Sequence, residues 1–300
     1  MRFASFAALL LVATAQAEPA PFVWIESELP AESVPATKPA ETGHAEWLSG
    51  GKWLFVNVEP KDFAKQLPGG AASFKYPFTT AVDGKYEVWH RAGMEYVRSP
   101  FEWRIDDAPW VLIDARDPKF QTIDLMELAT WNEVGWQKLG DQQLAKGDHK
   151  LEIRVPIPKD GKGQPTRLLF ASDCFCLSAG PFHPYTKFKP GELNRDASDE
   201  QAAKQVFEFP APARNAARSA VALEGLWEVC RYDEALPGPV AEPMTGLPDE
   251  PRWKAIAVPG DKNKIPELLF AHRLWYRCKV KVPAEYAGRS FVMTFPQNSL

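Results

Sequence analysis

Residues 84–92, GKYEVWHRA, alternate side chain by side chain: Tyr86, Val88 and His90 point one way, Glu87, Trp89 and Arg91 the other. That period of two belongs to a β-strand. Residues 149–155, HKLEIRV, repeat it, with Leu151, Ile153 and Val155 on the core side. Working outward, further strand patterns cover 22–28, 53–58, 73–78, 101–105, 110–114, 136–139 and 167–177. Turn signals separate them at Pro68-Gly69-Gly70, Asp83-Gly84, Lys146-Gly147-Asp148 and Asp160-Gly161-Lys162-Gly163. A Pro-rich loop is expected over 30–43, and Leu125, Leu128 and Ala129 at helical spacing predict one short helix. Many short strands with regular turns imply a β-sandwich of the jelly-roll kind.

The last quarter of the chain is a second strand-rich region. It reads LEGLWEV at 223–229, WKAIAVPGDKN at 253–263 and LWYRCKVKVPAEYAGRSFVMTF at 274–295. Trp253 to Val258 forms a strand stopped by Pro259-Gly260. In the next strand Trp275, Arg277, Lys279 and Lys281 alternate with Tyr276, Cys278, Val280 and Val282, and a fourth strand is expected at 291–295. Residues 179–222, with Pro181, Pro184, Pro190, Pro210 and Pro212, read as a linker carrying a short helix at 198–205 capped by Ser198. The expected fold class is all-β: two β-sandwich domains, 22–178 and 223–300, the second incomplete at residue 300.

Three hundred residues fit two such domains, and the high counts of 11 Trp and 28 Pro favour β-rich, loop-rich architecture. Residues 1–17 read as a signal peptide: Arg2, the apolar run from Phe3 to Ala13, then Ala15-Gln16-Ala17 as cleavage site. The apolar run is too short to span a bilayer. The expected location is therefore secreted or periplasmic, with no membrane anchorage after cleavage. A net charge of −4 argues against nucleic acid and anionic membranes as partners. The four cysteines form no zinc pattern. Cys174 and Cys176 lie on one strand face, while an oxidising location makes a Cys230–Cys278 bridge one alternative to buried free thiols.

The C-terminal motifs resemble the sugar-binding domain of family 2 glycoside hydrolases. They are Leu223, Gly225 and Trp227; Trp253, Val258, Pro259 and Gly260; Trp275, Tyr276, Val282 and Pro283; and Gly288 and Phe295. Residues 22–178 resemble carbohydrate-binding modules of families 6 and 35, galactose-binding-like folds, through Glu26 and Glu28, through Tyr86, Val88 and Arg91, and through Leu144, Gly147, His149, Leu151 and Ile153. Together these resemblances imply the carbohydrate-binding, non-catalytic part of an exported glycoside hydrolase whose catalytic barrel lies beyond residue 300. A glycan-binding or adhesion protein and part of a carbohydrate esterase are the alternatives.

No catalytic residues are identified: the five histidines are scattered, and no HExxH, GxSxG or P-loop occurs. Candidate sugar-binding aromatics are Trp47, Trp53, Trp110, Trp131 and Trp136, with Trp110 and Trp136 taken forward. The family 2 resemblance adds Asp261 in the loop after Val258-Pro259, although Lys262 stands where that family has Trp. Glu26 and Glu28 sit on one strand face about 7 Å apart, a pair that a cation would bridge. The carbohydrate-module resemblance assigns a structural calcium to Glu26, Glu28 and Asp173. No cofactor for catalysis is expected.

Overall fold

The computed structural model describes residues 20–95, 99–114, 122–192, 195–212, 219–231, 253–271 and 273–294. The signal-peptide reading of residues 1–17 and Phe295 lie outside them. The described chain is all-β, and its larger part is a two-sheet sandwich.

The first sheet contains β1 (Phe22–Glu26), β3 (Leu54–Val58), β5 (Gly84–Glu95), β8 (Ile123–Ala129), β9 (Asn132–Leu144) and β11 (Leu168–Ser178). Its order is β1-β11-β5-β9-β8, with β3 also pairing β11 beside β1, all antiparallel. The second sheet runs β2 (Glu32–Val34), β4 (Ala71–Thr80), β10 (Gly147–Pro156), β6 (Phe101–Ile105) and β7 (Val111–Ile113). Between the sheets lie Phe74, Tyr76, Val88, Trp103, Ile153 and Phe175, all buried. Each such side chain withdrawn from water contributes about 1.5–3 kcal/mol.

All eleven residues of β11 are buried, so both faces of the first sheet are covered. One cover is the segment 40–53, which brings Leu48 and Trp53 against Met126, Leu128 and Val134. Gly43 allows this approach: at φ +51° its Cα sits where a Cβ would lie 1.9 Å from the Leu128 carbonyl oxygen. The second cover is the segment after β11, whose Phe182 packs on Trp89 and Trp136. The second sheet keeps one face open.

Most expected strands are present, but the helix at 125–129 is not: those residues belong to β8. Register shifts between Ile123 and Met126 and between Glu127 and Ala129, with Asp124 at φ +52°, break the period of two across Leu125, Leu128 and Ala129. Such a bulge imitates helical spacing. β2 forms inside the expected Pro-rich loop.

Several of the described residues of 179–222 are packed. Phe182, Tyr185 and Thr186 are buried, and the helix α1 (Ala197–Lys204) is capped by Asp196 rather than Ser198. β12 (Val206–Glu208) pairs in parallel with β16 (Lys279–Lys281). The second unit adds the sheet β14 (Lys254–Val258), β13 (Gly225–Arg231) and β15 (Leu274–Arg277), around Phe207, Trp227, Val229 and Ile256. The single strand expected at 275–282 breaks at Cys278 into β15 and β16, and residues 291–294 form no strand. Cys230 and Cys278 form no disulfide, and neither do Cys174 and Cys176. Among the described residues no helix is long and apolar enough to cross a membrane.

Candidate functional site

The open face of the second sheet carries charge in place of apolar side chains. Across it run Lys75–Glu32 (2.6 Å), Lys150–Glu152 (2.6 Å), Arg104–Glu152 (3.1 Å) and Arg154–Glu102 (2.5 Å). Exposed pairs of this kind add little stability. They do fix long side chains on a rigid platform. On that platform lies Trp110, half-buried, with the Arg104 and Arg154 guanidiniums 4.5 and 4.4 Å from its ring centroid. Cation–π contact holds the indole in place.

The other aromatic candidates separate by burial. Trp136 is fully buried, packs edge-on against Trp24 and Phe182, and donates its indole N–H to the Thr186 carbonyl at 2.7 Å. It is a core residue and presents no face to a sugar. Trp53 is likewise buried, donating to Thr42 Oγ1. Trp131 is the opposite case, 70% exposed at the tip of the β8–β9 hairpin with φ +66°. Trp47 is half-buried and faces the junction described below.

Glu26, Glu28 and Asp173 gather beside Ser49. Ser49 donates its hydroxyl to Glu26 Oε1 (2.9 Å) and its backbone N–H to Asp173 Oδ1 (3.0 Å). Asp173 Oδ2 pairs with Arg91 Nη1 at 2.8 Å, both side chains wholly buried. Burial pushes the Asp173 carboxyl up in spite of Arg91. Glu28 is pushed up to about 7, chiefly by burial and further by Glu26 and Asp173. Glu26 Oε2 and Glu28 Oε2 are buried with no hydrogen-bond partner among the described residues. Two uncapped hard oxygens suit calcium. Asp173, however, is committed to Arg91 and Ser49, and among the described residues no three His, Cys, Asp or Glu side chains form a metal-ligand set. The implied triad is thus reduced to the pair Glu26 and Glu28.

Asp261 is exposed and caps a short turn, its Oδ1 accepting the Asn263 N–H at 2.9 Å. His90 belongs to the core. Burial lowers its pKa to about 3, its Nε2 meets Ser172 Oγ at 2.7 Å, and it stacks on Phe175 at 4.3 Å.

The two units meet at β8. Asp124 pairs with Arg231 at 3.0 Å, both nearly buried, and also accepts the Thr186 N–H. A groove of about 640 Å3 is lined by residues of both units, among them Trp47, Lys187, Phe188, Asp199, Lys254, Lys264, Pro266 and Glu267. Sequence reasoning missed it because its walls come from three separated segments, and only Trp47 among them carried a readable signal.

No protein-family model and no curated protein matches the chain. Some solved structures resemble part of it at low scores. A GH26-CBM35 β-(1,4)-mannanase from Podospora anserina is 13% identical over 61% of this chain and 32% of its own, with TM-score 0.33. A family 35 carbohydrate-binding module from Clostridium thermocellum is 11% identical over 54% of this chain and 100% of its own, TM-score 0.32. The CBM35 of Abf62 from Cellvibrio japonicus is 9% identical over 55% and 98%, TM-score 0.32. The match spans about a third of the mannanase. At such values these likenesses leave the question of ligand to the geometry above.

Proposed function

We propose that the chain binds carbohydrate on the open face of its first sandwich, as a non-catalytic, exported portion of a glycoside hydrolase of the family 2 kind. The observation that carries this reading is the Trp110 indole held on two guanidiniums over a rigid charged sheet. A pyranose ring has an apolar C–H face that packs on an indole, and an aromatic side chain loses little entropy in offering it. Its vicinal hydroxyls pair with the planar donor fork of Arg104 or Arg154 and with the Glu102 and Glu152 carboxylates. Because these side chains are already paired with one another, little ordering remains when a ligand arrives.

Trp110→Ala is expected to weaken polysaccharide binding at least tenfold, about 1.4 kcal/mol, in affinity electrophoresis against a panel of plant and bacterial polysaccharides. The melting temperature should stay within a few degrees of the parent. Unchanged retardation across that panel would refute the open-face reading.

We further propose that Glu26 and Glu28 hold a structural calcium ion, with Asp173 retained by Arg91. Calcium must displace the proton that burial and neighbouring charge keep on Glu28, so its affinity should rise with pH through about 7. Calorimetric titration at pH 8 is expected to give heat and a raised melting temperature, both lost in Glu28→Gln. No heat at pH 8 rejects the ion.

A further inference from the structure

Granted that the open face of the second sheet binds carbohydrate, we propose that His149 is a positioning residue for that face: a protonated clamp that fixes the turn carrying Trp110 and makes binding there pH-dependent. The turn, Asp106 to Pro109, joins β6 to β7. Its two ends bear parts of the platform, since Arg104 precedes it on β6 and Trp110 follows it. Pro109 fixes its own φ directly before the indole.

Asp106 anchors the turn. Its φ of +52° is left-handed, a conformation aspartate tolerates better than most residues but which the surroundings must support. The support is a double link to β10: the Asp106 N–H donates to the Lys150 carbonyl at 2.9 Å, and Asp106 Oδ1 accepts the Lys150 N–H at 2.9 Å. The other carboxylate oxygen, Oδ2, meets His149 Nδ1 at 2.7 Å, while His149 Nε2 meets the Ala145 carbonyl oxygen at 2.8 Å. A carboxylate and a carbonyl can only accept. Each neutral tautomer of the imidazole would set one lone pair against an oxygen. The ring therefore satisfies both contacts only as the imidazolium, and its bond to the turn is charge-assisted.

The surroundings favour that charge. Asp106 faces the ring from the turn after β6 and Asp148 from β10 itself, while β4 contributes the Phe78 ring, stacked at 5.5 Å, and the turn after β9 the Ala145 carbonyl. The Lys150 ammonium is engaged by Glu152 at 2.6 Å. Burial opposes protonation of His149, but the hydrogen bonds to Asp106 and Ala145 and the charges of Asp106 and Asp148 outweigh it and hold the pKa above the ordinary imidazole value. A group so raised stabilises fully below its unfolded value, about 6.5, and loses that contribution as pH rises through the folded one. Above that point one of the two contacts must break, and the turn that carries Trp110 loosens.

The test is an NMR pH titration of the full chain, with calorimetric titration against galactomannan, xylan and galactan at about pH 6 and about pH 9, on either side of the imidazole range. The indole N–H signal that Trp110→Phe removes should shift with pH along the His149 ring titration. Affinity should fall about fivefold from the lower pH to the higher, as a charge-assisted hydrogen bond is lost. Both changes should vanish in His149→Gln, which keeps a donor but cannot titrate, whereas an effect of Glu28, which titrates at about 7, would survive there. Asp106→Asn keeps the Oδ1 acceptor and should bring the His149 titration back toward the ordinary range. An indole signal indifferent to His149, an affinity equal at both pH values, or a His149 titration unmoved by Asp106→Asn would overturn the clamp. Should no polysaccharide bind at either pH while the indole still follows His149, the open-face reading fails and the clamp on the turn stands.

Discussion

Replacing Arg91 by leucine should lower the stability of the first sandwich by about 3–5 kcal/mol, the usual cost of removing one partner from a buried ion pair. The reason is the company Arg91 keeps. It is the wholly buried cation paired with Asp173, and Glu26 and Glu28 crowd the same place. Its loss would leave three carboxylates packed together without it. Arg91 also donates to the Trp47 carbonyl at 2.7 Å and so ties down the segment that covers the first sheet. Urea unfolding followed by tryptophan fluorescence would read the change. Combining Arg91→Leu with Asp173→Leu should recover part of the loss, since the uncompensated charge goes too. A cost below about 1 kcal/mol for the single change would mean that Asp173 is stabilised by something other than Arg91.

Trp136→Ala is expected to be comparably severe, about 3–5 kcal/mol, as a large ring is deleted from a closed core. The indole fills the space between Trp24 and Phe182 and holds Thr186 by its N–H. If Trp136 were a sugar-stacking residue, the variant would lose affinity and keep its melting temperature. A core residue gives the reverse, and differential scanning calorimetry beside polysaccharide retardation distinguishes the two.

These two residues also mark what sequence reading could reach. The strands of the second sheet were legible because one buried face enforces alternation, as in Leu151, Ile153 and Val155. Trp136 was misplaced for a related reason. Its sheet is covered on both sides, so both faces of its strand bury apolar rings and alternation no longer tells inside from outside. β8 was hidden by its bulge. Trp110 and the Glu26–Glu28 pair entered as candidates through local pattern and resemblance. The Arg91–Asp173 pairing and the junction groove join residues 82 or more positions apart or on separate units, and no local pattern encodes such contacts.

The Asp124–Arg231 contact has a practical consequence. Fragments cut at residue 178 or started at 223 would each carry half of a latch: one with Asp124 shorn of its guanidinium, the other with Arg231 facing water. Modular architecture invites such cuts, since sandwiches of this kind are commonly moved between proteins as interchangeable parts. This one shares a buried ion pair with its neighbour, so transplanting it with Asp124 still paired means taking residues 179–231 along.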